Sequence, residues 1–192
     1  MDELNKLVEH AAPHIQRIVI IGANMGVRIG ESELLALRWS QHVDLTLGVL
    51  RIDTSRKNQN APWREIPIRD GLLETFRQWK DTDTQAGVDF LINYKGNPVA
   101  DFKKAWHATL KRAGINRRIR PYDLRHAFAT QLISSGEADI GTVAELMGHS
   151  SPAMLFKTYQ HVLSKQKKKA VESLPIIQTC DKPHVPNKND LQ

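Results

Sequence analysis

The sequence predicts an α+β domain, mainly helical, with a small antiparallel three-stranded sheet on one side. Apolar residues recur at helical spacing through most of the chain, residues 43–68 switch to short β-branched runs, and glycines and prolines punctuate the joins. With 192 residues, the chain is long enough for one domain with a buried core and a tail. We assign residues 1–177 to the domain and 178–192 to a polar, disordered tail.

The elements follow in order. Residues 2–11 read as a helix with Leu4, Leu7 and Val8 on one face. Pro13 suits the first position of a second helix, whose Ile15, Ile18, Val19 and Ile21 lead towards Met25 before Gly26 breaks it. Because the chain opens inside helical sequence, it reads as a fragment lacking its upstream portion. Glu31 to Arg38 reads as a helix with Leu34, Leu35 and Leu37 inward, closed by Trp39, and Arg28 stands in the turn ahead of it. Val43–Leu45, Val49–Asp53 and Arg64–Ile68 are the three strands, with a turn at Gly48 and the polar, cationic hairpin TSRKNQNAPW between the last two.

Asp70 is expected to cap a helix through Lys80, DTDTQAGVD to form a loop, and Phe90–Ile92 to be a short apolar run before a turn at Asn93–Pro98. A further helix spans about Ala100 to Ala113, with Phe102, Trp106 and Leu110 in a stripe; His107 lies off it and is expected to be solvated. Two short helices come next: Leu124, Phe128 and Leu132 capped by Gly136, then Ile140, Val143, Leu146 and Met147 ending at Gly148. Val162 to Leu174 reads as a lysine-rich helix stopped by Pro175.

Composition narrows the function. Lys+Arg 27 against Asp+Glu 21 gives a net charge of +6, which suits an anionic partner, although a solvated basic surface accounts for the charge as well. The single cysteine, Cys180, excludes an internal disulfide and fits a reducing cytoplasm. No Cys/His cluster has zinc spacing, so no metal is expected. The apolar run around Ile18–Ile21 is too short to span a bilayer, and no signal peptide is apparent.

The chemistry concentrates between Pro121 and His161. Short helices joined by glycine turns fold back on one another, so Arg125, His149 and Tyr159 can share one basic cleft. A guanidinium, an imidazole and a phenol together suit a phosphodiester, which two of them hold while the third attacks. Arg117, Arg118 and Arg120 directly precede this stretch and serve either DNA-backbone contact or solubility.

These pieces resemble the tyrosine recombinases of the phage integrase family. Arg28 in GVRIGE before LLALRW, Arg125 in YDLRHAFAT, His149 in LMGHSS and Tyr159 in TYQH occur in that family's order, over roughly Asp2 to Pro175. The resemblance implies the catalytic-domain fold of that family, with an N-terminal DNA-binding domain absent from this chain. It implies that Arg28 and Arg125 clamp the scissile phosphate, that His149 hydrogen-bonds it, and that Tyr159 attacks phosphorus to leave a 3′-phosphotyrosyl link. Lys57 in the hairpin would protonate the leaving 5′-oxygen. No cofactor and no ATP are implied. The partners implied are double-stranded DNA and a homo-tetramer on paired sites, the isolated domain being a monomer, in a prokaryotic or phage-encoded, cytoplasmic and nucleoid-associated setting.

The sequence departs from the family pattern in three places. Tyr122 stands where the family carries a histidine three residues before the second arginine, and a phenol is a poor general base at neutral pH. The hairpin is longer than usual, and the gap from His149 to Tyr159 is one residue longer than the commonest spacing. Glu31 is expected to support Arg28, His126 to pack beside Arg125, and His161 to hydrogen-bond near Tyr159. Val162–Leu174 is either a linker to a neighbouring protomer or part of its own subunit's core. The alternatives are a type IB topoisomerase, a silent DNA-binding module of the same fold, and a generic helical interaction domain.

Overall fold

In the computed structural model, which describes residues 2–53, 63–149 and 151–175, the chain begins with two helices packed together, α1 (Asp2–His10) and α2 (Pro13–Met25). Pro13 opens α2, where its missing N–H costs nothing, and Gly26 closes it in the left-handed region at φ 60°. A Cβ on Gly26 would sit 2.3 Å from the Phe128 ring, so this position needs glycine for space as well as for φ.

The segment after Arg28 differs from the expected α-helix over Glu31–Arg38. It is a turn followed by one 3-10 turn, Leu34–Ala36, and then the short α3 (Trp39–His42). The reason lies at Glu33, whose carboxylate turns inward to accept the Arg28 N–H at 2.7 Å and is held there by Arg64. The predicted leucines, Leu34, Leu35 and Leu37, are all buried nonetheless.

The sheet is antiparallel in the order β1 (Val43–Asp44), β2 (Val49–Asp53), β3 (Trp63–Pro67), with Leu50 opposite Ile66 and Ile52 opposite Arg64. Leu50, Ile52 and Ile66 face the core, as a period of two requires. Lys57 lies outside the described residues, as do Cys180 and the expected tail 178–192.

The helix α4 (Asp70–Gln85) is longer than expected and absorbs most of the segment read as a loop. Its extra turn is held by Asp83, which pairs with Arg17 and accepts from Trp39 Nε1 at 2.8 Å and Asn93 Nδ2 at 3.2 Å. Asp70 is the first helical residue rather than the cap, and the Arg69 side chain makes no capping hydrogen bond. The expected turn at Asn93–Pro98 is a small hairpin, β4 (Asn93–Tyr94) with β5 (Asn97–Pro98). The helix α5 (Lys103–Arg112) starts later than Ala100 because the Asp101 carboxylate takes the Lys103 N–H at 2.9 Å and sets the first turn.

The last three helices are α6 (Asp123–Ser135), α7 (Ile140–Met147) and α8 (Ala153–Glu172). Gly136 and Gly148 cap α6 and α7 in the left-handed region, and Asp139 caps the start of α7 by accepting from the Gly141 and Thr142 N–H groups. One apolar cluster joins α1–α5 and the sheet to Leu124; a second gathers Phe128, Ile133, Val143, Met147, Leu155, Tyr159 and Val162. The helix α8 begins well before Val162, and Tyr159 lies inside it at a bend (φ −108°, ψ 18°). Leu155, Tyr159 and Val162, spaced i, i+4 and i+7, form its buried stripe, whereas Val171 and Leu174 are exposed. No helix among the described residues is long and apolar enough to cross a membrane.

Candidate active site

The site forms where two helices end. The last carbonyls of a helix have no partner within it and carry the negative end of its dipole, so they attract guanidinium groups. Arg125, on the first turns of α6, donates from Nη1 to the Gly26 carbonyl at the end of α2 and from Nη2 to the Met147 carbonyl at the end of α7, both at 2.6 Å. Its Nη2 also lies 3.2 Å from His149 Nε2. Arg28 reaches the same end of α7 from the other side, with Nη2 3.4 Å from the Gly148 carbonyl. Gly148 (φ 66°) must be glycine, since a Cβ there would lie 2.6 Å from Arg64 Nη1.

Glu33 underlies both halves. Its carboxylate pairs with Arg28 Nη1 at 3.2 Å and with Arg64, which donates to Oε1 at 3.2 Å and to Oε2 at 2.7 Å. Arg64 Nε also donates to the Leu146 carbonyl at 3.2 Å, tying β3 to the end of α7. Burial alone would raise the Glu33 carboxyl, but the Arg64 hydrogen bonds, the Arg28 N–H and both charges outweigh it and hold the carboxyl below the usual range.

Arg125 is only 1% exposed. Burial pushes its guanidinium below the ordinary value; Glu33 opposes the shift, and the Arg64 and Arg28 charges add to it. Among the described residues its buried Nε has no hydrogen-bond partner. Arg28, with 39% of its side chain exposed, can meet a ligand from solvent.

Tyr159 is 3% exposed, and its hydroxyl lies 2.8 Å from Nδ1 of His126, the residue after Arg125. Burial pushes the phenol above its ordinary value and Tyr122 adds to the shift, while the Arg125 charge opposes it. The phenol is therefore protonated at neutral pH and needs a proton acceptor before it can act as a nucleophile.

The structure thus brings Arg28, Arg125, His149 and Tyr159 together, three of them around the C-terminal end of α7. Glu31 is exposed, and the carboxylate beneath Arg28 is Glu33 instead. Tyr122 is 44% exposed and meets His126 edge-on, with ring centroids 5.1 Å apart. His161 is exposed on α8, and the expected contact near Tyr159 is made by His126. Of the three arginines, Arg117 pairs with Glu3, Arg120 pairs with Asp123 at 2.9 Å, and Arg118 is exposed. Sequence reasoning missed Glu33, Arg64 and the contact made by His126. For His126 a signal existed: on α6 it lies one turn beyond Tyr122, on the same face.

This architecture is that of a tyrosine recombinase catalytic domain. It superposes on XerA recombinase with a TM-score of 0.72 at 24% identity, covering 92% of this chain and 64% of XerA. It also superposes on XerH site-specific recombinase, solved bound to palindromic difH substrate as a post-cleavage complex, with a TM-score of 0.63 at 20% identity, covering 88% of this chain and 50% of XerH. The sequence is 31% identical over 147 residues to tyrosine recombinase XerC of Halalkalibacterium halodurans, covering 71% of this chain and 46% of XerC. Residues 1–166 match the model of the phage integrase family, and the chain belongs to that family. It spans about half the length of the curated relatives it matches.

Proposed function

We propose that this chain is the catalytic domain of a site-specific DNA recombinase that cuts and rejoins duplex DNA through a 3′-phosphotyrosyl link at Tyr159. One observation carries the reading: Arg28, Arg125 and His149 converge on the C-terminal end of α7, and His126, the residue after Arg125, holds the Tyr159 hydroxyl at 2.8 Å in the same subunit. Arg28 and Arg125 hold the non-bridging oxygens of the scissile phosphate, and His149 gives a further hydrogen bond. The Tyr159 oxygen bonds to phosphorus, the bond from phosphorus to the 5′-oxygen breaks, the phenolic proton leaves to a base, and Lys57 supplies a proton to the 5′-oxygen.

Fixed guanidiniums offset the charge that grows on the phosphorane, the task that metal ions perform in other phosphoryl-transfer sites, so the scheme uses no cofactor. The covalent link keeps the free energy of the phosphodiester, and attack by a 5′-hydroxyl rejoins the strand without ATP. Exchange between two duplexes calls for a tetramer on paired sites, the isolated domain being a monomer. The exposed Val171 near the end of α8 and Leu174 just beyond it suit a contact with a neighbouring protomer. The greater length of the relatives supports a second, N-terminal DNA-gripping domain in the whole protein.

The test uses a pool of duplexes randomised in sequence and nicked at one position, so that cleavage beside the nick releases a short strand and traps the adduct. Wild-type protein is expected to form a covalent complex and Tyr159→Phe none. A wild type that binds the pool but never becomes linked to it contradicts the reading and favours a silent binding module.

A further inference from the structure

We propose that His126 is a catalytic residue of this chain: its Nδ1 takes the Tyr159 phenolic proton as the oxygen attacks phosphorus. The inference rests on the function proposed above and goes beyond it by assigning the base. The resemblance offers Tyr122 at the usual histidine position, and a phenol ordinarily ionises near pH 10, too high to serve as a base at neutral pH.

The geometry displaces that role by one helical turn. Tyr122, at the cap of α6, has helical backbone angles (φ −63°, ψ −22°), so His126 follows it on the same face, and the two rings meet edge to face at 78°. The His126 ring tilts at 56° to that of Tyr159, with centroids 6.2 Å apart and Nδ1 2.8 Å from the hydroxyl. That separation lies within the reach a general base needs.

Among the described residues, the charged and titratable groups near His126 come from its own helix and from α8. Tyr122 and Asp123 precede it on its own element, Arg125 adjoins it, and Tyr159 comes from α8. Asp123, tied to Arg120, is close enough to feel the charge of His126. Taking a proton at Nδ1 requires the ring's own hydrogen to sit on Nε2. In the step the Oη–H bond breaks, the proton passes to Nδ1, the Oη electron pair forms the bond to phosphorus, and the bond to the 5′-oxygen breaks as that oxygen takes a proton from an ammonium donor such as Lys57. Rejoining runs the same transfers backwards.

The test is single-turnover trapping on the nicked-duplex pool with full-chain wild type, His126→Ala and His126→Asn, across pH. Asparagine places an amide near the Nδ1 position and can hold the phenol, but it takes no proton. Both variants are expected to cleave roughly 100-fold or more slowly than wild type. They should also lose the fall in rate that wild type shows as acid protonates the imidazole, and added free imidazole should restore part of the His126→Ala rate. If wild type forms an adduct and His126→Asn matches it in rate and pH profile, His126 serves only to position the phenol, and the proposal is overturned. A slow His126→Ala that imidazole does not rescue and whose pH profile is unchanged overturns it as well. If His126→Ala does not fold, by circular dichroism, His126→Asn alone decides. Absence of any wild-type adduct is a separate outcome, which overturns the function on which the inference rests.

Discussion

Replacing Glu33 with glutamine keeps the shape of the side chain and removes one negative charge from beneath two arginines. The carboxylate is 3% exposed, and its partners differ: the Arg64 side chain is 10% exposed and that of Arg28 is 39% exposed. The Arg28 pair, open to water and screened, contributes little to stability. Arg64 dominates, because the substitution leaves its guanidinium buried against a neutral amide. Breaking a buried pair costs about 3–5 kcal/mol, and the glutamine oxygen still accepts one arginine N–H, so a loss near the lower end, about 3 kcal/mol, is expected. At 2–4 °C per kcal/mol for a domain of this size, the melting temperature falls by roughly 6–12 °C.

The effect has a pH signature. The Glu33 carboxyl in the folded protein lies below its ordinary value, so its contribution is present above the ordinary carboxylate pKa and is lost as pH falls through the folded value. Urea unfolding followed by tryptophan fluorescence, at about pH 7 and again well into the carboxylate range, measures both. Wild type and Glu33→Gln should differ strongly at neutral pH and converge in acid. A difference at neutral pH below about 0.5 kcal/mol, the scatter of an ordinary surface substitution, or one that does not shrink in acid, refutes the reasoning.

Other expectations follow from the same geometry. Gly26→Ala combines a left-handed backbone penalty of about 1–2 kcal/mol with overpacking against Phe128 of about 1–3 kcal/mol, so its urea midpoint should drop well below wild type. In an ultraviolet titration of the three tyrosines, Tyr159 should ionise at the highest pH, and Tyr159→Phe should remove that step. Since its folded value is raised, the stability Tyr159 adds is present below the ordinary phenol pKa and is lost as pH rises through the folded value, which stability curves in alkali can check. Affinity for duplex DNA should fall steeply with salt, with a slope of about 0.9 per phosphate contacted, and a flat salt dependence in a filter or anisotropy assay contradicts a backbone-gripping surface.

Much of the fold was legible because its signals are local. Pro13, Gly26, Gly136 and Gly148 mark helix ends through their own backbone preferences, and the alternation in Val49–Asp53 marks a strand without reference to any partner. What was misread depends on partners distant in the chain. The turn of α4 beyond Lys80 is held by Arg17, 66 residues from Asp83. Glu33 rather than Glu31 faces inward because Arg64, 31 residues on, receives it. The site followed the same rule: the four boxes named Arg28, Arg125, His149 and Tyr159, while helical spacing put His126 on the face of Tyr122 without naming its partner, Tyr159, 33 residues on. Val162 closes its own subunit's core, and Val171 and Leu174, which periodicity grouped with it, stay in solvent.

The central claim is that the Tyr159 oxygen bonds to a DNA phosphorus held by Arg125. It is tested most directly by digesting the trapped protein–DNA adduct and locating the modified peptide by mass spectrometry. The account predicts the nucleotide remnant on Tyr159 through a 3′-phosphate, and no adduct from Tyr159→Phe or Arg125→Ala, each shown to be folded. A remnant on any other residue, or an adduct that survives in Tyr159→Phe, contradicts it.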